Sequence, residues 1–406
     1  MNTSSILSDL SKTVNLSGFI VTGTALKNGD FQIFLERRMH VAKCSCCGRY
    51  CGTFYDSKLL SYRDLNWGST QIFLRIRRVR VDCPICGIKS EQLPFAHFGS
   101  PMTKRFQTFL ACMCRVMTRA DVADLYQVSE DTITRYELAF LDKRYQNDED
   151  LDDLRLLRLD EIARRKGHNY LTVLVNAETG RVVEVVEGRK KDDLQPFFAR
   201  LGNERASKIE AVSLDMSRSY IAAIETWCEN ALLVFDRFHI VKHLNDALNE
   251  VRKSEKRKEG NKHQDKWRHS KRALGKNEEN LTEKEAECLD RLLRENERIF
   301  TAYNLKVEFQ RLWEYPTKRG ANIFLTRWLK KARATEEEAF IGFCDMVERH
   351  REGIMNYYFY PLTNGPQEGL NNKINVIRRK AYGYANMVSF ILKIFQATDR
   401  LFPRWG

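Results

Sequence analysis

The chain has 406 residues, with 67 Lys and Arg against 54 Asp and Glu, a formal charge of +13 and a pI near 9.2. A length of this order holds several domains at roughly one per 100–200 residues, and the basic balance points to a polyanionic partner without fixing a fold. No apolar run approaches the roughly 18–20 residues that span a bilayer, the first residues lack a leader's basic and apolar segments, and 11 unevenly spread cysteines argue against a disulfide framework, so a cytoplasmic protein that does not enter a membrane is expected.

In chain order, SGFIVTG and FQIFLERR are β-like runs joined by a KNGD turn that suits a hairpin. CSCCG, the β-like stretch QIFLRIRRVRVD and CPICG follow. Cys44-x-x-Cys47-Gly48 and Cys83-x-x-Cys86-Gly87 are two copies of one knuckle. Two thiolates two residues apart reach one ion from a tight turn, and the glycine accepts the backbone angles that close it. Four such sulfurs predict a closed, structural Zn²⁺ site. Unrelated buried or redox cysteines are the plainer alternative, and Cys46 and Cys51 leave the choice within the first cluster open. Arg75 and Arg77, with Arg78 and Arg80 beside them, suit phosphates or a merely solvated strand face. Residues 1–100 are thus expected to form a β module that binds zinc.

Between residues 105 and 144 the periodicity is helical. RADVADLYQVSEDTITRYELAF has the form of a helix-turn-helix, turning at Gln127-Val128, with Ser129 capping the second helix and Val122, Leu125, Val128, Ile133 and Leu138 between the two. Thr132 and Arg135 then stand near the entry of the second helix, where base edges in a major groove would be met; a small helical bundle gives a similar pattern. Residues 101–150 are assigned to this domain and its linker, the acidic NDEDLDD (147–153) marking the boundary.

From Leu154, LRLLRLDEIA, YLTVLVNAETG and RVVEVVEG are consecutive strands. A helix (DDLQPFFARLG), a strand (IEAVSLDM), a helix (SRSYIAAIETWCE) and a strand (ALLVFD) follow. This order predicts a mixed α/β sheet whose fourth and fifth strands run parallel to the first. No strand is expected from about Asn245 to Asn356, a stretch opening on a run dense in Lys and Arg. Asp160 and Asp215 end two of the strands, so they project from one edge of the sheet, where sites in α/β folds are built. Each alone suits a turn or a cap. With Glu368, in the first turn of a later helix, they can hold two Mg²⁺ ions for phosphodiester chemistry.

In order, "LDEIARRKGHNYLTVL", "VSLDMSRSY", "VFDRFHIVKHLNDAL" and "TNGPQEGLNNKINVIRRKAYGYAN", after a double CxxC and a helix-turn-helix, resemble the ISL-three family of bacterial insertion-sequence transposases. The resemblance runs through nearly the whole chain. It implies the DDE class with a ribonuclease-H-like core (151–244 and 357–406) interrupted by a helical insertion (245–356). It further implies that Asp160, Asp215 and Glu368 are a catalytic triad binding Mg²⁺ or Mn²⁺. Asp236 and His239 match an Asp-x-x-His signature, which makes them site residues near the metals, although a histidine there also suits packing or capping. Asn176 departs from the Asp expected in the second-strand turn. Asn371, Asn372, Lys373, Arg378, Arg379 and Lys380 are expected along the DNA backbone, where contacts add salt-dependent affinity without sequence information; a solvated helix face is the alternative.

The function implied is a DNA transposase that binds double-stranded terminal inverted repeats, hydrolyses a phosphodiester and joins the freed 3′-hydroxyl to target DNA. A homodimer or larger assembly on DNA, associated with the nucleoid, follows from the need to join two ends. The rivals are a catalytically inactive DNA-binding regulator and a metal nuclease that cuts without joining.

Overall fold

The computed structural model describes residues 16–145, 151–163, 170–260, 264–362, 365–380 and 386–399. Parts of four sequence features therefore lie outside the described residues: the acidic linker, the first transposase-like motif (164–169), the basic run (261–263) and both ends of the last motif (363–364 and 381–385). The chain divides into two compact units on either side of residue 146. Among the described residues no helix is long and apolar enough to cross a membrane.

The first unit opens on β1 (Phe19–Lys27) and β2 (Asp30–Arg37), antiparallel as expected. Asn28 and Gly29 between them take φ +54° and +85°, the pair of positive angles that a two-residue hairpin turn needs. A short ladder, β3 (Ala42–Lys43) with β4 (Tyr50–Cys51), is followed by β5 (Phe54–Trp67), β6 (Thr70–Cys83) and β7 (Gly87–Ser90). The main sheet runs β1-β2-β6-β5, with β7 also on β6. Its core is the alternating Ile72, Leu74 and Ile76 of β6 against Ile33, Leu35, Tyr62 and Phe95. Among the described residues three helices complete the unit: α1 (Lys104–Met113), α2 (Arg119–Tyr126) and α3 (Glu130–Tyr145). Buried Asp64 of β5 accepts from Thr103 Oγ1 at 2.7 Å and Arg105 Nε at 2.8 Å, which fixes the start of α1 to the sheet.

The second unit holds β8 (Leu156–Ala163), β9 (Tyr170–Asn176) and β10 (Val182–Glu187), then α4 (Lys191–Ala206), β11 (Ala211–Leu214), α5 (Arg218–Trp227) and β12 (Leu232–Phe235). The order is β10-β9-β8-β11-β12. The first three strands are antiparallel, and β11 runs parallel to both β8 and β12, as the element sequence predicts. Asn176 closes the β9–β10 turn, its Oδ1 accepting from the backbone of Glu178 at 2.9 Å and Thr179 at 3.1 Å. An amide serves that role as well as a carboxylate, so the departure there is structurally neutral.

Side-chain alternation gives the sheet two buried faces. Leu157, Leu159 and Leu174 pack with Leu194, Tyr220 and Ile240, which lie on α4, α5 and α6 (Arg237–Glu259). Further along, α7 (Gln264–Trp267), α8 (Ser270–Gly275), α9 (Glu283–Glu295), α10 (Glu297–Gln310), α11 (Lys318–Arg333), α12 (Glu338–Arg349) and α13 (Arg351–Met355) build a helical body on the same core. On the opposite face, Ile162, Val173, Val175 and Val185 meet Leu370 and Ile374 of α14 (Gly365–Lys380) and Phe390 and Ile394 of α15 (Met387–Thr398). The domain boundary drawn at 244/245 falls inside α6, whose apolar stripe Ile240, Leu244, Leu248 and Val251 is unbroken across it.

Gly353 of α13 lies against the last residue of β12: a Cβ there would meet the Phe235 ring at 2.4 Å. Gly353→Ala is expected to lower the unfolding free energy by about 1–3 kcal/mol, the usual cost of overpacking, measured as a lower urea midpoint. Phe235 immediately precedes Asp236, so this contact also sets the strand end that carries the site.

Candidate active site

Three parallel strands deliver three aspartates to one level. The registers Ser213↔Arg158 and Leu214↔Phe235, continued past the ends of the ladders, set Asp215 between Asp160 and Asp236. Within β8, Leu157 and Leu159 point to the α4–α6 side. Asp160 therefore points to the side of α14, and Asn371 of that helix reaches it, donating from Nδ2 to Asp160 Oδ2 at 2.7 Å. The other oxygen, Oδ1, accepts from the backbone N–H of Glu161 at 2.8 Å.

Asp236 caps α6, accepting from the Phe238 N–H at 3.1 Å, and its carboxyl is buried. Burial pushes its pKa up and nearby Asp160 adds to the rise, while the Phe238 N–H and His239 oppose it. His239, one turn along α6, places Nε2 3.6 Å from Asp236 and 4.0 Å from Asp160. Asp215 accepts from the Ser217 N–H at 2.9 Å, so it also performs the plain turn-closing role that its position allows.

Glu368 stands exposed in the first turn of α14. It precedes Asn371 by three residues, which places the two on one helical face about 4.5 Å apart along the axis. Asp160, Asp215 and Glu368 do not form a group whose ligand oxygens all lie within 4.8 Å; among the described residues the cysteine cluster alone does so. Asn372, Lys373, Arg379 and Lys380 are exposed along the rest of α14. Arg378 is half-buried and donates to Asn375 at 2.9 Å.

Two neighbours of the acids are missed by the sequence reading. Arg158, two residues before Asp160 and so on its face, is buried; burial lowers its pKa and Asp236 counters the shift. Glu161 lies on the opposite face, where burial raises its pKa, Arg189 at 3.5 Å opposes that, and Asp215 and Asp160 add to the rise. Period-two alternation in LRLLRLDE was the available signal for both.

In the first unit, Cys44, Cys47, Cys83 and Cys86 bring their sulfurs within 4.8 Å of one another, so these four could hold one metal ion. Gly48 and Gly87 take φ +75° and +67°, as the two knuckles require. The backbone N–H groups of Ile85 and Cys86 draw the Cys83 thiol down to about 6, while hydrogen bonds with Cys46 and Cys47 push the Cys86 thiol up, so Cys83 is the first of the pair to give the thiolate that binds metal. Cys46 is exposed, and Cys51 is buried beside Cys83.

The helix-turn-helix geometry is present as well. Gln127 takes φ +51° between α2 and α3, and Ser129 Oγ accepts from the Thr132 N–H at 3.4 Å. Val122, Val128 and Ile133 are buried as expected; Leu125 is 57% exposed, and Tyr136 fills the shared core instead. Arg135 is exposed at the start of α3 and Thr132 is half-buried. On β6, Arg77 is exposed and Arg75 half-buried, while Arg80 pairs with Asp56 and Arg78 donates to the Glu91 carbonyl at 2.9 Å.

Comparison with known proteins agrees with both units. A family profile described as "Transposase" matches residues 157–394, and one described as "Helix-turn-helix domain of transposase family ISL3" matches residues 91–138. The transposase for insertion sequence element IS1001 of Bordetella parapertussis is 28% identical over 366 residues, spanning 89% of this chain and 90% of its own. The transposase for insertion sequence element IS1557 of Mycobacterium tuberculosis is 27% identical over 374 residues, spanning 86% and 84%.

Proposed function

Because the chain belongs to the ISL3 family of insertion-sequence transposases, we propose that it moves its element by metal-dependent DNA cleavage and strand transfer of the DDE type. The observation that carries this reading is the alignment of three aspartates on three adjacent parallel strands, Asp160 inside β8 and Asp215 and Asp236 immediately after the ends of β11 and β12, with His239 within 4.0 Å of Asp160. The strand order, three antiparallel strands followed by two that run parallel to the first of them, supports a ribonuclease-H-like core. Asp160, Asp215 and Glu368 are assigned as the ligand triad, with the first turn of α14, ahead of the docked Leu370 and Ile374, bringing Glu368 to the aspartates when DNA is loaded.

The donors fit Mg²⁺ or Mn²⁺: they are hard oxygens, several of them anionic, and buried Asn371 Oδ1 beside them has no hydrogen-bond partner among the described residues. Bound ions would supply charge stabilisation for the phosphoryl oxygens and an activated attacking oxygen. The protein's own groups do the rest. Asp236 holds His239 toward Asp160, and Arg158 offsets the buried negative charge. Exposed Asn372, Lys373, Arg379 and Lys380 position the DNA backbone. In the first unit a structural Zn²⁺ on the four cysteines orders the β module, while Thr132 and Arg135 meet base edges of the terminal inverted repeats and Arg75 and Arg77 meet phosphates. Joining two ends requires two such sites, hence a homodimer or larger assembly on DNA in the cytoplasm, at the nucleoid.

The test is incubation of the full chain with DNA carrying the element's ends and a supercoiled target, with Mg²⁺ or with EDTA. Metal-dependent nicks with 3′-hydroxyl ends, followed by joined products, are expected. Binding without nicking would mean a regulator; nicking without joining would mean a nuclease.

A further inference from the structure

Asn371 lies in a helix otherwise suited to DNA contacts, yet its side chain is turned onto Asp160 rather than outward. Its Nδ2 donates at 2.7 Å to Asp160 Oδ2, one of the two oxygens that the proposed triad offers to a cation. Its Oδ1 is buried with no hydrogen-bond partner among the described residues. A carboxamide ordinarily uses both ends when it is buried, so an acceptor left unused beside a carboxylate cluster requires an explanation.

The electrostatics supply one. Facing a bare carboxylate, the amide presents its NH₂ group; facing a cation held on that carboxylate, the stable orientation is the reverse, reached by rotating the amide about its last side-chain bond. A carbonyl oxygen of this kind is an ordinary ligand for Mg²⁺, Mn²⁺ or Ca²⁺. Leu370 and Ile374, packed on the sheet beside Ile162 and Val173, hold the backbone on either side of Asn371 and fix its distance from β8.

We infer that Asn371 is a further oxygen ligand of the divalent cation at Asp160, occupied by a hydrogen bond to that acid until the ion arrives. This rests on the metal-dependent reading of the Asp160 site. It gives α14 one inward position, Asn371, a turn along from exposed Glu368, and separates it from Asn372, Lys373 and Arg379, which face solvent and remain backbone contacts.

The experiment uses the full chain without DNA and Mn²⁺ alone as the probe, following free Mn²⁺ by electron paramagnetic resonance. Asp160→Ala should remove the specific binding seen in the wild type. Asn371→Ala should weaken it about three- to tenfold, and Asn371→Asp, which places an anionic oxygen at the same spot, should restore or tighten it. Thermal melts without metal establish that each variant is folded; Asn371→Asp should also gain more melting temperature from Mn²⁺ than the wild type, because the ion relieves repulsion between two carboxylates. If Asn371→Ala and Asn371→Asp both bind Mn²⁺ within twofold of the wild type while Asp160→Ala does not, the ligand role is overturned and the metal site stands. If the wild type shows no binding that Asp160→Ala abolishes, either alone or with end-bearing DNA added, the metal reading fails and the ligand role falls with it.

Discussion

Asp215→Asn should reduce Mg²⁺-dependent nicking of end-bearing DNA by about a thousandfold or more, the scale seen when one member of a catalytic unit is removed, while DNA binding stays within about twofold. The substitution isolates charge from shape. Asp215 Oδ1 accepts from the Ser217 N–H at 2.9 Å, and an Asn side chain keeps an oxygen in that place, so the turn entering α5 survives. What disappears is a negative charge close enough to Asp160 and Glu161 that it contributes to the raised pKa of Glu161. Removing it relieves repulsion in the metal-free protein, so the melting temperature should hold or rise slightly even as activity is lost. Loss of stability alongside loss of activity would point instead to the turn-closing role, and unchanged nicking would remove Asp215 from the chemistry altogether. Asp160→Asn is expected to behave alike in activity, since Asp160 stands level with Asp215 on the neighbouring strand.

Asp215 was legible because AVSLD carries its own strand and its own stop, and Asp236 through the Asp-x-x-His signature of the resemblance; Asp160, expected to end its strand, lies inside β8, which pairs with β9 on to Ala163. The helix face opposite them was less so. Helical spacing says that Glu368 and Asn371 share a side, but which of them touches β8 depends on how Leu370 and Ile374 dock on the sheet, a tertiary contact absent from any local pattern. The strand β5 was passed over because Asp56, Ser57, Lys58, Arg63 and Asp64 break its apolar alternation; pairing with β6 along most of its length makes it a strand. The boundary at 244/245 followed the end of the predicted strands and the insertion that the resemblance implies, and neither signal carries the extent of α6, which runs through it from Arg237 to Glu259. Leu125 looked like a core residue by type, yet α2 has only eight residues, and its buried side is met by Val122.

Stripping the zinc proposed for the four cysteines should have the second large effect, and its cause lies in how little apolar packing surrounds the knuckles. The cluster around them consists of Ala42, Cys44, Cys51, Val79, Val81 and Cys83, so half of its buried members are cysteines and the apolar area left without a metal is small. Structural zinc in small modules contributes roughly 10–16 kcal/mol of apparent binding free energy that is also folding free energy. Cys83 is the last residue of β6, the strand that carries Arg75 and Arg77, and Cys44 bonds through its N–H to the Arg49 carbonyl at 2.8 Å within the first knuckle. Loss of the ion thus frees the first knuckle, the β6 end and β7 together. The expected results are one Zn²⁺ per chain by elemental analysis and, after chelation or in Cys83→Ser, a fall in affinity for end DNA of about a hundredfold or more. The far-UV signal of the helices in the second unit, which share no residue with the cysteine site, should persist. Cys46→Ser should keep its metal, because Cys46 stands outside the four sulfurs that converge. Full DNA affinity in a zinc-free protein would show that the first unit holds its shape by packing alone, and the knuckles would then need another purpose.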